Sequence, residues 1–250
     1  MKRYETLSVF PEFFDTYLSS SIMGRAQDKG LFEFEAYNLR DWTHDKHNTV
    51  DDCPFGGGQG MLMKPDPFYE AYDSISALGD IKPYVVFFAP AGTPYNQRVA
   101  ERLSKQDRIL FVCGRYEGID QRAFELADET ISLGDYVLTG GELPAMVVID
   151  SLVRLIPGAL GDTMSAVDES FSTEGLIEYE QYTRPSSYRG MDVPEVLLSG
   201  HHGKIAEWRR MNAIERTARL RPDMIETADL SEEERIFANN IVQSQINNDK

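Results

Sequence analysis

The chain has 250 residues, 42% of them hydrophobic, and a formal net charge of −16. That is apolar material enough for one or two cored domains. With no apolar run of about 18 residues, a membrane span is not expected. So acidic a chain can meet a polyanion only where positive charge is locally concentrated, so distribution matters more than the total.

The opening "MKRYETLSVFPEFF" reaches glutamate and proline too early for a signal peptide. "TLSVF" (6–10) reads as a strand, and Pro11 opens a helix through Tyr17. "LFEFEAYNL" (31–39) alternates with period two and predicts a second strand. A long loop runs from Arg40 to about Gly60, followed by a helix over 66–78. "YVVFFA" (84–89) and "RILFVCG" (108–114) are continuous apolar runs, as expected of strands buried on both faces. A helix over 96–103 lies between them. A helix over 121–127, a strand "TISL" (130–133) and a long buried helix over 143–156 complete the pattern. Alternating strands and helices imply an α/β fold with a mainly parallel sheet.

From Pro157 to about Thr173 the texture turns small and polar, as in a linker. The organisation expected is a domain over 1–158, a linker over 159–173 and a small, mostly helical domain over 174–250. Helices are predicted over 202–222 and 231–245, the latter opened by a Ser231/Glu234 capping box. Cys53 and Cys113 are too far apart in sequence for a zinc motif or a disulfide framework, which suits a reduced, cytoplasmic setting.

Four stretches carry chemistry. "DDCPFGGGQGM" (51–61) has three consecutive glycines but no Lys-Ser or Lys-Thr after the last one, so it does not read as a nucleotide phosphate loop. "CGRYEGID" (113–120) ends an apolar strand, where parallel sheets bind ligands. A tight turn would explain its glycines but not Arg115, Tyr116 and Glu117 together. "GDYVLTGGELPA" (134–145) also follows a strand and offers backbone donors and acceptors with no cation. That lining suits a neutral or cationic heterocycle better than a polyphosphate. "FFAPAGTPYNQ" (87–97) lies at a third strand end, so three loops converge on one pocket.

The C-terminal part adds an island of positive charge. Lys204, Arg209, Arg210, Arg216, Arg219 and Arg221 face only Glu207 and Glu215 between residues 201 and 222. On a helix, Arg209, Arg216 and Arg219 share one side and Met211, Ile214 and Ala218 the other, which predicts an anchored helix with a basic face for phosphate contacts. The His44/His47 and His201/His202 pairs lack metal-site spacing and context, and no metal is expected there.

Together these stretches, with "VFPEFF", "YTRPSSYRGMDVPEVLLSGHH" and "IAEWRRMNAIERT", closely resemble the TrmD family of bacterial tRNA (guanine-N1)-methyltransferases, within the SPOUT superfamily. The resemblance runs over nearly the whole chain. It implies an α/β domain with a deep trefoil knot, a homodimer with its active site at the subunit interface, and S-adenosylmethionine bound in the knot loops. By match, the cofactor residues are Phe88, Pro90, Gly114, Tyr116, Glu117, Leu133, Gly134, Asp135, Tyr136, Val137, Leu138, Gly140 and Gly141. Those implied to meet tRNA are Gly56, Gly57, Gly58, Arg184, His201, Arg209 and Arg210. The implied target is N1 of the guanosine immediately 3′ of the anticodon. Arg154 matches the arginine expected to stabilise charge on O6.

Two departures stand out. The family's catalytic aspartate directly precedes Ser-Phe, where this chain has Glu169, with Asp168 one residue earlier. Either Glu169 is the base or the linker shifts by one and uses Asp168. Phe87 and Ala89 are less polar than the family's pattern and are expected to alter adenosine contacts slightly. A Mg2+ requirement leaves no pattern in the residues. A phosphotransferase would need the missing lysine of "PFGGGQG", and a non-catalytic RNA-binding module would leave the three converging loops without a use.

Overall fold

The computed structural model describes residues 1–160, 170–171 and 175–248. The chain divides into two compact units, Met1–Asp162 and Thr163–Lys250. In the first, five strands form one sheet: β1 (Lys2–Ser8), β2 (Phe32–Asn38), β3 (Tyr84–Pro94), β4 (Arg108–Val112) and β5 (Glu129–Ser132). Their order is β2-β1-β4-β3-β5, and every neighbouring pair is parallel.

The continuous apolar runs make sense in this setting. Along β4, Ile109 and Phe111 enter one core while Leu110 and Val112 enter the other. A parallel sheet covered on both faces asks for apolar residues at odd and even positions alike. One face is covered by α1 (Ser21–Asp28), α3 (Gln97–Leu103) and α4 (Glu142–Arg154), the other by α2 (Pro65–Ser76) and the 3-10 turns of Gln121–Leu126. Glu5 and Arg108 are buried side by side on adjacent central strands, with Arg108 Nε 2.7 Å from the Glu5 carboxylate. Such a pair is tolerable in a core because each charge is compensated.

Several boundaries differ from expectation. The segment after Pro11 is a 3-10 turn, Pro11–Phe14, followed by one α turn, Asp15–Leu18. The helix expected over 121–127 is 3-10 rather than α and spans Gln121–Leu126. Strand β3 runs on to Pro94 because it slips register: Phe88 and Thr93 both pair with Ile131. The slip ejects residues 89–92 from the ladder, as an irregularity beside a binding site often does.

The second unit holds α5 (His202–Leu220) and α6 (Glu232–Asn248) around a small core of Leu176, Ala213, Ile214, Ala218, Ile225, Ala228 and Ala238. The expected capping box is present, with Ser231 N–H donating to Glu234 at 2.8 Å and Glu234 N–H to Ser231 Oγ at 3.3 Å. Helix α5 stops two residues before its expected end. Pro222 drives Arg221 out of the helical region, to φ −140°, and starts a separate turn, Pro222–Ile225. Ahead of α5 lie a small antiparallel pair, Ser187–Tyr188 and Met191–Asp192, and one helical turn, Glu195–Leu198.

Candidate active site

The segments following β4 and β5, with the residues ejected from β3, meet at the carboxyl end of the sheet. They enclose a cavity of about 360 Å³, within the size range of small-ligand sites. Phe88 and Pro90 line it from the first segment, Gly114, Tyr116 and Glu117 from the second, and Leu133, Gly134, Tyr136, Val137, Leu138, Gly140 and Gly141 from the third. These are the residues singled out for the cofactor, save one. Asp135 is exposed and does not line the cavity. The Tyr136 N–H bonds back to Gly134 O at 2.9 Å, a turn so tight that its apex residue points outward.

Phe87 also departs from expectation. It is fully buried and packs on Phe68 and Phe124, with ring centroids 6.3 and 4.9 Å away, so it belongs to the core. Period two explains why: Phe88 faces the cavity, so its neighbour must face the other side. Ala89 does line the cavity.

Tyr116 has φ +60°, a left-handed conformation unusual for a tyrosine, at the cavity wall. Such backbone strain concentrates at functional sites. Loop 53–61 is tied to the same wall. Glu117 N–H donates to Met61 O at 3.1 Å, Met63 N–H to Gly118 O at 2.9 Å and Asp120 N–H to Met63 O at 2.9 Å. Gly60 lies against the Glu117 side chain, where an added Cβ would come within 2.3 Å of Cγ. Gly56, Gly57 and Gly58 are exposed at the tip, next to a fully exposed Phe55.

Glu142, at the first position of α4, joins the site although no motif singles it out. It is 1% exposed. Ser8 Oγ donates to its Oε1 at 2.6 Å, and its Oε2 is 2.9 Å from Arg115 Nε. Neither Oε2 nor Nε makes an aligned hydrogen bond, so charge rather than directionality joins them. A carboxylate opening an otherwise apolar helix was the available signal. Beside it, burial first and then the Glu142 charge push the Cys113 thiol well above its ordinary pKa, which leaves it a poor nucleophile.

Arg154 does not line the cavity. It ends the helix whose first turn borders the cavity, and at 1.5 Å per residue the twelve-residue offset places it roughly 18 Å along the axis. Asp168 and Glu169 lie outside the described residues.

In the second unit Arg184 and His201 are exposed. Arg209 is exposed and stacks on Tyr179, its guanidinium carbon 4.7 Å from the ring centroid. Arg210 is bound instead to Glu234 and to Asp229 O, at 2.8 and 2.7 Å. Arg216 pairs with Glu180 and Arg219 with Glu215. The expected basic face is thus broken up by ion pairs, one within the helix to Glu215 and others to Glu180 and Glu234, which fold against it from elsewhere in the chain. Among the described residues, no group of three or more His, Cys, Asp or Glu is placed to hold a metal. Nor is any described helix long and apolar enough to cross a membrane.

Comparison with known sequences decides the family. The family described as tRNA (Guanine-1)-methyltransferase TrmD matches residues 2–227. The chain belongs to the TrmD family. Among curated members, the tRNA (guanine-N(1)-)-methyltransferase of Brevibacillus brevis is 52% identical over 232 residues, covering 92% of this chain and 94% of that protein. That of Persephonella marina is 48% identical over 233 residues, covering 93% and 91%. That of Bacillus subtilis is 47% identical over 234 residues, covering 93% and 96%. As a TrmD-family member the chain is an enzyme of this type, a tRNA-modifying methyltransferase.

Proposed function

We propose that this enzyme transfers a methyl group from S-adenosylmethionine to N1 of the guanosine immediately 3′ of the anticodon. The observation that carries the proposal is the cavity at the carboxyl end of the sheet. Its wall is largely backbone, glycine and apolar side chains, and its Arg115 is matched by Glu142. A flat adenine and a cationic sulfonium suit such a lining, whereas a polyphosphate would lack its counter-charge. When bound, S-adenosylmethionine supplies a methyl group already activated on sulfur.

The protein's part is placement and proton removal. Guanine N1 carries a proton at neutral pH, so a carboxylate must take it before N1 can attack. Glu169 or Asp168, in the stretch read from the sequence as a linker, is the proposed base, and it must come within hydrogen-bond reach of N1. Charge left on the base spreads to O6, where Arg154 stabilises it. The target base leaves its stack to enter the site.

Arg154 sits too far along α4 to serve its own cavity, which favours a homodimer in which each site takes Arg154 from the second copy. The exposed face of α4 offers a surface for it: Leu143 and Val147 stand beside Phe13 and Tyr17, whose hydroxyl donates to Asp150 at 2.9 Å. The knot is part of the same reading. It is supported by the close crossing at Gly141, whose N–H donates to Gly114 O at 2.9 Å. A cytoplasmic location follows from the tRNA substrate.

Two experiments test the proposal. Methyl transfer to tRNA transcripts differing only in the base 3′ of the anticodon should require guanosine; equal transfer to adenosine would overturn the target assignment. Glu169→Ala should lose single-turnover transfer more than Asp168→Ala, and undiminished activity in both would remove the carboxylate base from this segment.

A further inference from the structure

Glu142 closes a circuit of contacts around the cavity. Ser8 Oγ donates to Glu142 at 2.6 Å and accepts the Phe10 N–H at 2.9 Å. The Phe10 ring lies under the Arg115 guanidinium, 4.8 Å from its carbon to the centroid. Arg115 Nε returns to Glu142 at 2.9 Å, while Nη1 reaches Thr139 O at 3.4 Å. The circuit joins the end of β1, two of the cavity's three segments and the start of α4. Gly140 is pressed into it: an added Cβ would lie 2.3 Å from Arg115 Nε and 2.6 Å from Glu142 Oε2.

We infer that Glu142 is a positioning residue that neutralises Arg115 at the cavity wall, so that the site accepts a sulfonium ligand. The inference rests on the cofactor reading above. Arg115 lines the cavity and Glu142 does not. Without the Glu142 charge, the guanidinium would lose the carboxylate 2.9 Å from its Nε while facing a cationic ligand, and like charges repel. The neutral thioether S-adenosylhomocysteine has the same shape without the sulfonium charge. The circuit therefore sets the preference between the two as well as the spacing of the loops.

Isothermal titration with both ligands tests this. In Glu142→Gln, which keeps the shape and the Ser8 contact, the Kd for S-adenosylmethionine should rise about tenfold more than that for S-adenosylhomocysteine, the scale of one charge acting across a protein interior. Arg115→Gln should shift the ratio the opposite way. The double variant should return it to the wild-type value, and it remains informative if Glu142→Gln alone fails to fold. Equal losses for the two ligands, or a double variant whose ratio stays with either single variant, would overturn the inference and leave Glu142 a packing residue. Wild-type protein that binds neither ligand would instead overturn the cofactor reading.

Discussion

At Gly141 a side chain has nowhere to go. Its backbone dihedrals, φ −83° and ψ −7°, suit any residue, but an added Cβ would sit 2.7 Å from Cys113 Cα and 3.0 Å from Gly114 N. Neither neighbour is a flexible side chain that could give way. Gly141→Ala should therefore destabilise the first unit by about 1–3 kcal/mol, the usual cost of overpacking, and weaken cofactor binding, as read by urea unfolding and titration. An unchanged unfolding midpoint would show that the crossing has room for a methyl group. Arg210 makes a second prediction. It first, and the Ser231 N–H after it, hold the Glu234 carboxyl at about 2, below its ordinary 4.5. A carboxyl depressed in the folded state stabilises above its unfolded pKa, and that contribution is lost as pH falls through the folded value. Arg210→Ala should cost about 1.5–3 kcal/mol at pH 7. Its penalty should shrink below about pH 4.5 and vanish near pH 2, which thermal melts across that range will check.

Elements carry their own signatures. Helix α3 starts at Asn96, whose side chain accepts the Val99 N–H at 3.1 Å, and it buries Val99, Ala100 and Leu103. Asn96→Ala should cost about 1 kcal/mol, the usual value for a lost N-cap, measured as a shift in denaturant midpoint with the slope unchanged. A change in slope would mean that more than the cap has been disturbed. Strand β3 shows what periodicity does not reveal. Its apolar run reads correctly as a strand, but the slip that ejects residues 89–92 depends on pairing with Ile131, more than thirty residues away. Helix α4 was legible as a buried helix from its apolar residues alone. The burial of its leading Glu142 was not, because Ser8 and Arg115 come from elsewhere in the chain.

The whole molecule raises the question of shared sites. If each cavity takes Arg154 from a second copy, two inactive variants should complement. Mixing Arg154→Ala with a cavity variant such as Gly141→Leu should restore about a quarter of wild-type activity, since half the dimers are mixed and each has one intact site. No recovery, despite mixed dimers seen by native mass spectrometry, would place the site within one copy. Val147→Glu should give a monomer in sedimentation, because it sets a charge on the exposed apolar face of α4.

The local code determined the five main strands, the long helices, the capping box and the convergence of three glycine-bearing segments on one end of a parallel sheet, while the segments after Pro11 and Asp120 came out as 3-10 turns. Those features follow from hydrophobic period and turn chemistry, which are readable within a few residues. Family resemblance added the residues expected to meet a cofactor, and all but Asp135 line one cavity. Only the tertiary structure decided that Phe87 turns to the core, that Arg154 lies a helix-length from its own cavity, and that Glu234 and Glu180 tie down Arg210 and Arg216 of α5. Each depends on partners distant in sequence or on the length of a rigid element, and neither leaves a mark on the residues nearby. The charge balance of the cavity belongs to the same class. Arg115 has its counter-charge because the fold buries Glu142, from a segment distant in sequence, 2.9 Å from its Nε.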